Sequence, residues 1–421
     1  MAKIRERLRL WIKRTVDRIN YLIDVAISAL GTVEIQITLL TLLALIASNI
    51  VIVEISNNSY SQQLLSTLIA VLVTLLSVYF SIDILSPHLK GSERTHISDS
   101  QSIVEEYDDQ VLINMYDWIP NSIQREDINN HIAAAVEDVP EEAKPLSDIE
   151  CELNNDMYHI PENLWGIIEP AEDRIKTIFN LSGSFSTLKP RLDRITEQKL
   201  YISKTTYYRS FQTNFCPDLN LGSNRTIREL TKSQLVKDGE LVSLENSPFS
   251  NHLGIAGMVI SADGTMAVGT RSGHVAVDKY AKSLPFSGAA NWSDFTESGK
   301  AETAVIREIE EELKIGEDDI REIVYLGTTR RMERIGKPDI VTLVLVDEID
   351  VWTSPSKEFT KLDIFDISTE SPIESTSELF SPEIADDVVR QLLSEVSESS
   401  RHASAGLLSF ISLYSRLAYD T

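Results

Sequence analysis

The stretch GKAETAVIREIEEELKI, residues Gly299–Ile315, has the pattern of one amphipathic helix. Apolar residues recur in it every four positions and predict a face that packs on a core: Ala301, Val305, Ile309 and Leu313. Glu308, Glu311 and Glu312 share another face, because residues three and four apart on a helix are neighbours. Carboxylates this close repel one another unless a cation lies between them, and Mg²⁺ prefers such oxygen ligands. The simpler alternative is a solvated acidic face in which Arg307 pairs with Glu311.

The segments before this helix occur in an informative order. A hairpin pattern with Asp263 and Gly264 at its turn comes first, within GIAGMVISADGTMAVGTRSG. Leu284 and Pro285 follow, and then Gly288. This arrangement resembles the first strands of a Nudix domain and the Leu-Pro-Gly-Gly sequence that leads into the Nudix box. The order therefore favours the helix as the box of a domain of that kind.

Within the helix, residues 307–312, REIEEE, resemble the Arg-Glu-apolar-x-Glu-Glu core of the Nudix box. The resemblance implies an α/β (α+β) Nudix-like sheet-and-helix domain, which we place at residues 176–421. It also implies that Glu308, Glu311 and Glu312 are metal ligands. Mg²⁺ is the cofactor that it suggests, although the function inferred below requires none.

The box departs from the family pattern at two positions. The family has a glutamate eight residues before the box arginine, where this chain has Gly299. Near the end of the helix the family has a glycine, where this chain has Lys314. The loop at residues 285–299 is also longer and carries no family pattern. These departures predict a degenerate box, in which the helix is kept as a scaffold and no catalytic residue is assigned.

Length, charge and cysteine content restrict the function classes. The chain of 421 residues is long enough for two or three domains. Its 64 acidic residues outnumber 39 basic ones, which argues against DNA or RNA binding over a broad basic surface. Any anionic ligand would need a local basic pocket. The two cysteines, Cys151 and Cys216, cannot form a disulfide framework, so a reducing compartment fits better.

The first 32 residues are basic and amphipathic. Seven lysines and arginines between Lys3 and Arg18 alternate with apolar residues such as Trp11 and Ile12. A helix with this composition is typical of a membrane surface, where charge and apolar face both find partners. A cytosolic helix that packs on the soluble domain is the alternative.

Residues 33–86 contain two long apolar runs, Ile35–Val53 and Leu64–Leu85. Each is close to the roughly 20 residues that cross a bilayer as a helix, whereas a buried soluble hairpin would need shorter runs. The joining loop, Ile55–Gln63, has no lysine or arginine, while basic residues occur before the first run and after the second. This asymmetry predicts a multi-pass protein of the bacterial inner membrane with a short periplasmic loop and with both termini in the cytoplasm.

Residues 87–175 form a predicted acidic connector. Between Ser98 and Asp173 the chain has 20 acidic residues against Arg125 and Lys144, and five prolines interrupt it. The segment Val136–Glu152 has the composition of a flexible linker.

Basic clusters are informative in a chain this acidic. The densest cluster of the soluble part is TRRMER with Lys337, and Arg271 lies near the strands before the helix. Guanidinium groups suit phosphate, but they pair as readily with carboxylates of the same protein. Tyr207 is a candidate for stacking on a base, with burial in the core as the alternative. The predicted ligand-binding residues are Arg271, Arg330, Arg331, Arg334 and Tyr207.

The complete layout resembles that of the two-transmembrane Nudix effectors of bacterial antiphage (CBASS) systems, whose sensor is the SMODS-associated Nudix domain. The resemblance implies that a cyclic oligonucleotide made during infection binds the Nudix-like domain. The transmembrane helices then assemble as a homo-oligomer in the lipid bilayer, the inner membrane is disrupted and the infected cell dies.

Two other functions fit the same residues. One is a membrane-anchored, Mg²⁺-dependent Nudix hydrolase of a nucleoside diphosphate derivative. The other is a structural or signalling membrane protein whose Nudix fold binds another protein. Glu308, Glu311 and Glu312 favour the hydrolase, whereas Gly299 and Lys314 argue against it.

Overall fold

The computed structural model describes residues 100–419, with gaps at 108–109, 126–127, 129–130, 180–186, 197, 222–224, 274–279, 350–357, 370 and 399–402. The amphipathic helix predicted at 1–32 and the two membrane helices predicted at 33–86 lie outside the described residues. Within the described residues, no helix has both the length and the apolar character that a membrane span requires.

The described helices and strands follow one another from residue 100. The helices are α1 (Ser100–Glu106), α2 (Glu162–Ile168), α3 (Glu172–Ile178), α4 (Tyr207–Gln212), α5 (Ile227–Leu235), α6 (Trp292–Ser298), α7 (Glu302–Leu313), α8 (Pro382–Glu398) and α9 (Ala405–Tyr419). The strands are β1 (Ala134–Asp138), β2 (Lys144–Pro145), β3 (Glu150–Met157), β4 (Leu188–Thr196), β5 (Lys199–Thr206), β6 (Val236–Lys237), β7 (Glu240–Leu241), β8 (Gly254–Ser261), β9 (Thr265–Arg271), β10 (Lys282–Ser283), β11 (Phe286–Ala289), β12 (Ile320–Arg331), β13 (Lys337–Val346) and β14 (Phe359–Asp366).

A mixed sheet forms the centre of the domain. In the described part of the chain its strands run in the order β1-β12-β13-β8-β9-β10, with β11 paired to β8, β14 to β9 and β2 to β12. Strands β8 and β13 are parallel, and the other pairs in this sheet are antiparallel. Every residue of β8 and β13 is buried, as expected for strands that are covered on both faces.

The two faces of the sheet carry different helices. On one face, Val259 and Val344 pack in one core with α7. On the other face, Met258 and Leu343 pack in a second core with α8 and α9. Neighbouring residues of a strand point to opposite faces, so each strand supplies both cores. The predicted mixed sheet-and-helix fold is confirmed.

Helix α7 lies within the predicted stretch Gly299–Ile315 and ends at Leu313. Its apolar stripe is buried against the sheet. Lys314 caps it in the left-handed conformation, with φ 62°, and donates its N–H to the carbonyl of Glu310. Glycine adopts this conformation most easily, which explains why a glycine suits this position in the family pattern. Gly299, with φ 71°, has the same role at the end of α6.

Two predicted irregular segments are ordered in the structure. The loop at 285–299 contains β11 and α6, which begins with a capping box of Asn291 and Asp294. The segment Val136–Glu152, predicted as a flexible linker, is also ordered, because β1 and β2 pair with β12 and β3 pairs with β5. The segment predicted as a linker therefore belongs to the folded unit, which extends from Arg94 to Thr421.

Candidate functional site

Helix α7 directs two of its three predicted metal ligands into the domain. Glu308 and Glu312 are buried, and both carboxylates lie against β11. The backbone N–H of Ser287 donates to Glu312 Oε2 at 3.2 Å. A Cβ atom at Gly288 would lie 2.1 Å from Glu308 Oε2, so the lack of a side chain at Gly288 gives that carboxylate its place. Glu311 points elsewhere: its side chain is 61% exposed and pairs with Arg307.

A carboxylate that the sequence did not reveal, Glu358, belongs to the same group. Arg271 joins it to β11, because Nη2 donates to Glu358 Oε2 at 3.1 Å and Nη1 donates to Ser287 Oγ at 2.9 Å. Burial, and then the charges of Glu358 and Glu308, raise the pKa of Glu312 to about 9. Burial likewise raises the pKa of Glu308, although Arg307 opposes the shift. We call Glu308, Glu312 and Glu358 the carboxylate group.

The carboxylate group only partly fits a magnesium ion. Its oxygen donors are those that Mg²⁺ prefers, and repulsion between them would be relieved by a cation. Yet among the described residues no three His, Cys, Asp or Glu side chains come close enough together to hold a metal ion. The predicted set of Glu308, Glu311 and Glu312 is not brought together, because Glu311 is turned to solvent. Mg²⁺ at this place stays a prediction.

The predicted arginine cluster is buried rather than open. Arg330 and Arg331 are neighbours on β12 and therefore point to opposite faces. Arg330 is fully buried and donates to the carbonyl oxygens of Val242 at 2.5 Å and Gly336 at 3.2 Å. It also pairs with Glu137 at 3.4 Å. Nε and Nη1 of Arg330 are thus used within the fold, which is the alternative that the sequence left open, whereas its buried Nη2 has no hydrogen-bond partner among the described residues.

Arg331 and Arg334 lie near acids and a lysine on the β12–β13 hairpin. Arg331 pairs with Glu333 and, at 3.5 Å, with Asp339. Lys337 also pairs with Asp339, so one carboxylate serves two cations. Burial, and then repulsion from Arg334, lower the pKa of Lys337 to about 8, although Asp339 opposes the shift. The hairpin therefore brings buried cations and buried carboxylates close together.

Tyr207 and Arg334, both predicted as ligand contacts, meet in a small group of aromatic and basic side chains. Arg334 lies over the ring of Phe215, 5.2 Å from its centroid. Lys189 lies over the ring of Tyr207, 5.1 Å from its centroid. His252 is stacked on Phe215 at 5.3 Å and meets Tyr207 edge-on at 5.8 Å. We call these five residues the cation–aromatic group.

The cation–aromatic group lies next to the carboxylate group. The charges of Glu358 and Glu308 act on the Tyr207 hydroxyl, whose pKa is raised chiefly by burial. Burial, and then the charge of Arg307, lower the pKa of Lys189 to about 8, while Glu308 acts in the opposite direction. The structure thus brings Tyr207, Arg271 and Arg334 to one region and places Arg330 outside it.

His252 is the most unusual member of this region. It is fully buried, and neither ring nitrogen has a hydrogen-bond partner among the described residues. Burial, with Lys337, Lys189 and Arg334 nearby, lowers its pKa well below the ordinary value, so the ring is neutral. A buried polar group without a partner costs about 1–3 kcal/mol. Neither His252 nor Lys189 carried a sequence signal, because each is an isolated residue that only the fold brings here.

Comparisons with known proteins find similarity to solved structures alone. No protein-family model and no curated protein matches the chain. Solved structures that match include DR0079 from Deinococcus radiodurans, with 13% identity over 38% of this chain and 82% of that chain and a TM-score of 0.25. RenU, a Nudix hydrolase from M. Smegmatis, matches with 18% identity over 36% and 88% and a TM-score of 0.21. A MutT/nudix family protein from Enterococcus faecalis matches with 13% identity over 38% and 66% and a TM-score of 0.21. TM-scores this low carry no argument about this chain, so the resemblance of residues 307–312 to the Nudix box stays a prediction from the sequence.

Proposed function

We propose that this chain is a membrane effector of bacterial cyclic-oligonucleotide antiphage signalling. Its Nudix-like domain senses a cyclic nucleotide, and its transmembrane helices then assemble and disrupt the inner membrane, which causes abortive infection. One observation carries the sensing part: the ring of Tyr207 lies beside Lys189 and Arg334, next to helix α7. An aromatic face and adjacent cations are the complement of a nucleotide, which offers a base for stacking and an anionic phosphate.

The chain as a whole is acidic, so the position of these basic side chains is informative. With 64 acidic and 39 basic residues, the chain carries a net negative charge, which disfavours anions in general. Lys189 and Arg334 are nonetheless gathered beside aromatic rings in this region. A bound anion would interact favourably with both cations.

The membrane part of the proposal rests on the two apolar runs of residues 33–86. Two helices are too few to line a pore, so activation requires several protomers. The ligand can drive that assembly only if it binds the assembled state more tightly than the free one. The orientation has its own test: a cysteine that replaces Ser59 should react with a membrane-impermeant thiol reagent in intact cells, whereas one that replaces Thr421 should not.

The sensing and membrane steps can be tested together. Full-length protein would be placed in dye-filled vesicles and mixed with a panel of cyclic di- and trinucleotides, with the matching linear dinucleotides as controls. We expect one cyclic nucleotide to bind and to release the dye, and the linear ones to do neither. Binding without release would contradict the membrane step, and the absence of binding across the panel would contradict the sensing step.

A second function has one observation in its favour. The charges of Glu358 and Glu308 act on the buried Glu312, and carboxylates are the oxygen ligands that a Mg²⁺-dependent hydrolase uses. The substrate would then be a nucleoside diphosphate derivative. Turnover of such compounds with Mg²⁺, lost in Glu312→Gln, would establish the hydrolase. The departures at Gly299 and Lys314 lead us to expect no turnover.

A further inference from the structure

A three-stranded sheet beside the central one carries a cavity on one of its faces. Its strands run in the order β3-β5-β4, with β3 parallel and β4 antiparallel to β5. The cavity has a volume of about 420 Å³, within the range of roughly 300–1,000 Å³ that small-molecule sites occupy. Residues of all three strands line it, and none of them belongs to the carboxylate group or to the cation–aromatic group.

The strand register places opposite charges on the two sides of this cavity. Tyr201 of the central strand β5 is paired with Glu152 of β3 on one side and with Arg194 of β4 on the other. All three side chains line the cavity, as expected for paired residues, which point to the same face of a sheet. Neighbouring strands are about 4.8 Å apart, so the strands that carry the acid and the base are separated by roughly 10 Å.

Two charged side chains in the cavity are not paired within the described part of the chain. The guanidinium of the exposed Arg194 lies over the ring of Tyr201, 3.9 Å from its centroid, and makes no hydrogen bond or ion pair with another described residue. Glu245, in the turn after β7, also has no partner among these residues. A free cation and a free carboxylate thus line one cavity without meeting, which is the complement of a ligand that carries both charges.

Acids predominate in the lining. The four carboxylates are those of Glu152, Asp156, Asp193 and Glu245. The second guanidinium group, that of Arg191, is used within the fold, because it pairs with Asp193 and donates to backbone carbonyls. Lys199, which does not line the cavity, pairs with Glu152 at 3.2 Å. Even with Lys199 included, the carboxylates outnumber the cations, so the cavity favours a ligand with net positive charge.

A buried hydroxyl also faces the cavity. Ser203 of β5 is only 7% exposed, lines the cavity, and its hydroxyl makes no hydrogen bond to any residue that the structure describes. Buried polar groups normally have a partner. A hydroxyl both donates and accepts, so Ser203 can serve either kind of polar group on a ligand.

We propose that this cavity binds a free basic amino acid, such as arginine or lysine. Such a molecule has one carboxylate and two cationic groups, and so matches a lining with both signs of charge and an excess of acid. The ligand carboxylate pairs with Arg194 and the α-ammonium group with Glu245. The ligand side chain extends across Tyr201, so that its cationic end reaches Glu152 and Asp156. This site is independent of the proposed nucleotide sensing.

Calorimetric titration of the full-length protein with L-arginine and three analogues tests the proposal. Agmatine lacks the carboxylate, Nα-acetyl-L-arginine lacks the α-ammonium group, and L-citrulline has a neutral urea group in place of the guanidinium. Each analogue should bind at least about threefold more weakly than L-arginine, because each loses one charge pair in a cavity that is open to water.

The analogues also define what would overturn the proposal. Absence of L-arginine binding would overturn it, and so would an equal affinity for agmatine or L-citrulline. Equal affinity for Nα-acetyl-L-arginine would overturn the choice of a free amino acid over the end of a peptide.

Variants test the position of each group of the ligand. Arg194→Gln should weaken the binding of L-arginine at least about threefold but leave that of agmatine unchanged, because agmatine has no carboxylate. Glu152→Gln should weaken the binding of both and leave that of L-citrulline unchanged. The matched control is Glu150→Gln, because Glu150 also pairs with Lys199, at 3.5 Å, but does not line the cavity.

All three substituted side chains are exposed, so the variants should fold, which circular dichroism checks. If Arg194→Gln weakens agmatine and L-arginine equally, Arg194 does not bind the carboxylate and the proposed site is wrong. Equal losses in Glu150→Gln and Glu152→Gln would likewise contradict it, because only Glu152 lines the cavity.

Discussion

Arg228 and Asp218 form a buried ion pair with two hydrogen bonds, from Nε to Oδ1 at 2.7 Å and from Nη2 to Oδ2 at 3.0 Å. The same guanidinium donates to the carbonyl oxygens of Met332 at 2.6 Å and Glu333 at 2.9 Å. These two residues precede Arg334 in the turn between β12 and β13. Helix α5, which carries Arg228, therefore holds the turn that presents Arg334 to the cation–aromatic group.

Replacement of Arg228 should destabilise the domain strongly. Arg228→Met removes the guanidinium that pairs with the buried Asp218, and breaking a buried pair in this way costs about 3–5 kcal/mol. We expect the free energy of unfolding, measured with urea and tryptophan fluorescence, to fall by that amount. The control is Arg390→Met, which removes a more exposed partner of Asp386 and should change the free energy very little. Equal effects of the two variants would contradict the structural role of Arg228.

Arg330 and Arg334 should respond differently to the same substitution. Arg330→Met leaves the buried carbonyls of Val242 and Gly336 and the carboxylate of Glu137 without their donor. Its main effect should be a loss of about 3–5 kcal/mol of stability. Arg334→Met should instead weaken nucleotide binding about tenfold or more. Urea unfolding and calorimetric titration of both variants check this, and a reversed pattern would place Arg330 in the binding site.

The sequence predicted what is encoded locally. The stripe of α7 and the acids on its other face follow from helical periodicity alone, and the structure has that helix within the predicted bounds. The segment Val136–Glu152 was predicted as a linker from its composition. It is ordered instead, because Leu146 and Ile149 are buried in a core and pairing with β12 outweighs the charge.

The candidate site could be predicted only in part, because much of it consists of contacts between residues that are far apart in the sequence. Arg334 and Tyr207 were found because a basic cluster and an aromatic run are visible in the chain. His252, Lys189 and Glu358 are single residues whose neighbours lie far away in sequence, and periodicity or spacing cannot indicate such contacts. The prediction from the arginine cluster was also incomplete. Adjacent residues of a strand face opposite sides, so only one of Arg330 and Arg331 can face the site.

The stability of the domain should depend on Glu312 in a pH window set by its raised pKa. Between the ordinary value of 4.5 and about 9, the folded carboxyl holds a proton that the unfolded chain releases. The free energy of unfolding therefore falls as pH rises through this window. Glu312→Gln, which cannot ionise, should be more stable than the unmodified chain at pH 7, by about 1–3 kcal/mol. At pH 4 the difference should vanish.

Urea unfolding at several pH values measures this effect. Glu310→Gln serves as the control, because Glu310 is exposed on the same helix. Its free energy of unfolding should follow that of the unmodified chain over the whole range. A Glu312→Gln variant that is less stable than the unmodified chain at pH 7 would show that the ionised carboxylate is favourable where it lies.

Arg228 also reaches the beginning of the described chain. Its Nη1 donates to the Tyr107 hydroxyl at 3.0 Å, directly after helix α1. Lys232, on the same helix α5, pairs with Glu106 at the end of α1. Helix α1 follows the two predicted membrane helices in the chain. One guanidinium thus contacts both the segment after those helices and the turn that carries Arg334.

This contact predicts a variant that binds but does not signal. Tyr107→Phe removes one hydrogen bond to Arg228 and none to the cation–aromatic group, so nucleotide affinity should stay within about twofold of the unmodified value. Dye release from vesicles should nevertheless require more ligand, because coupling needs a physical link between the two segments. Tyr158→Phe is the matched control, since its hydroxyl donates to the carbonyl of Pro248 at 2.6 Å, and it should release dye normally. Normal release by Tyr107→Phe would show that the signal does not pass through Arg228, whereas lost affinity would place Tyr107 in the binding site.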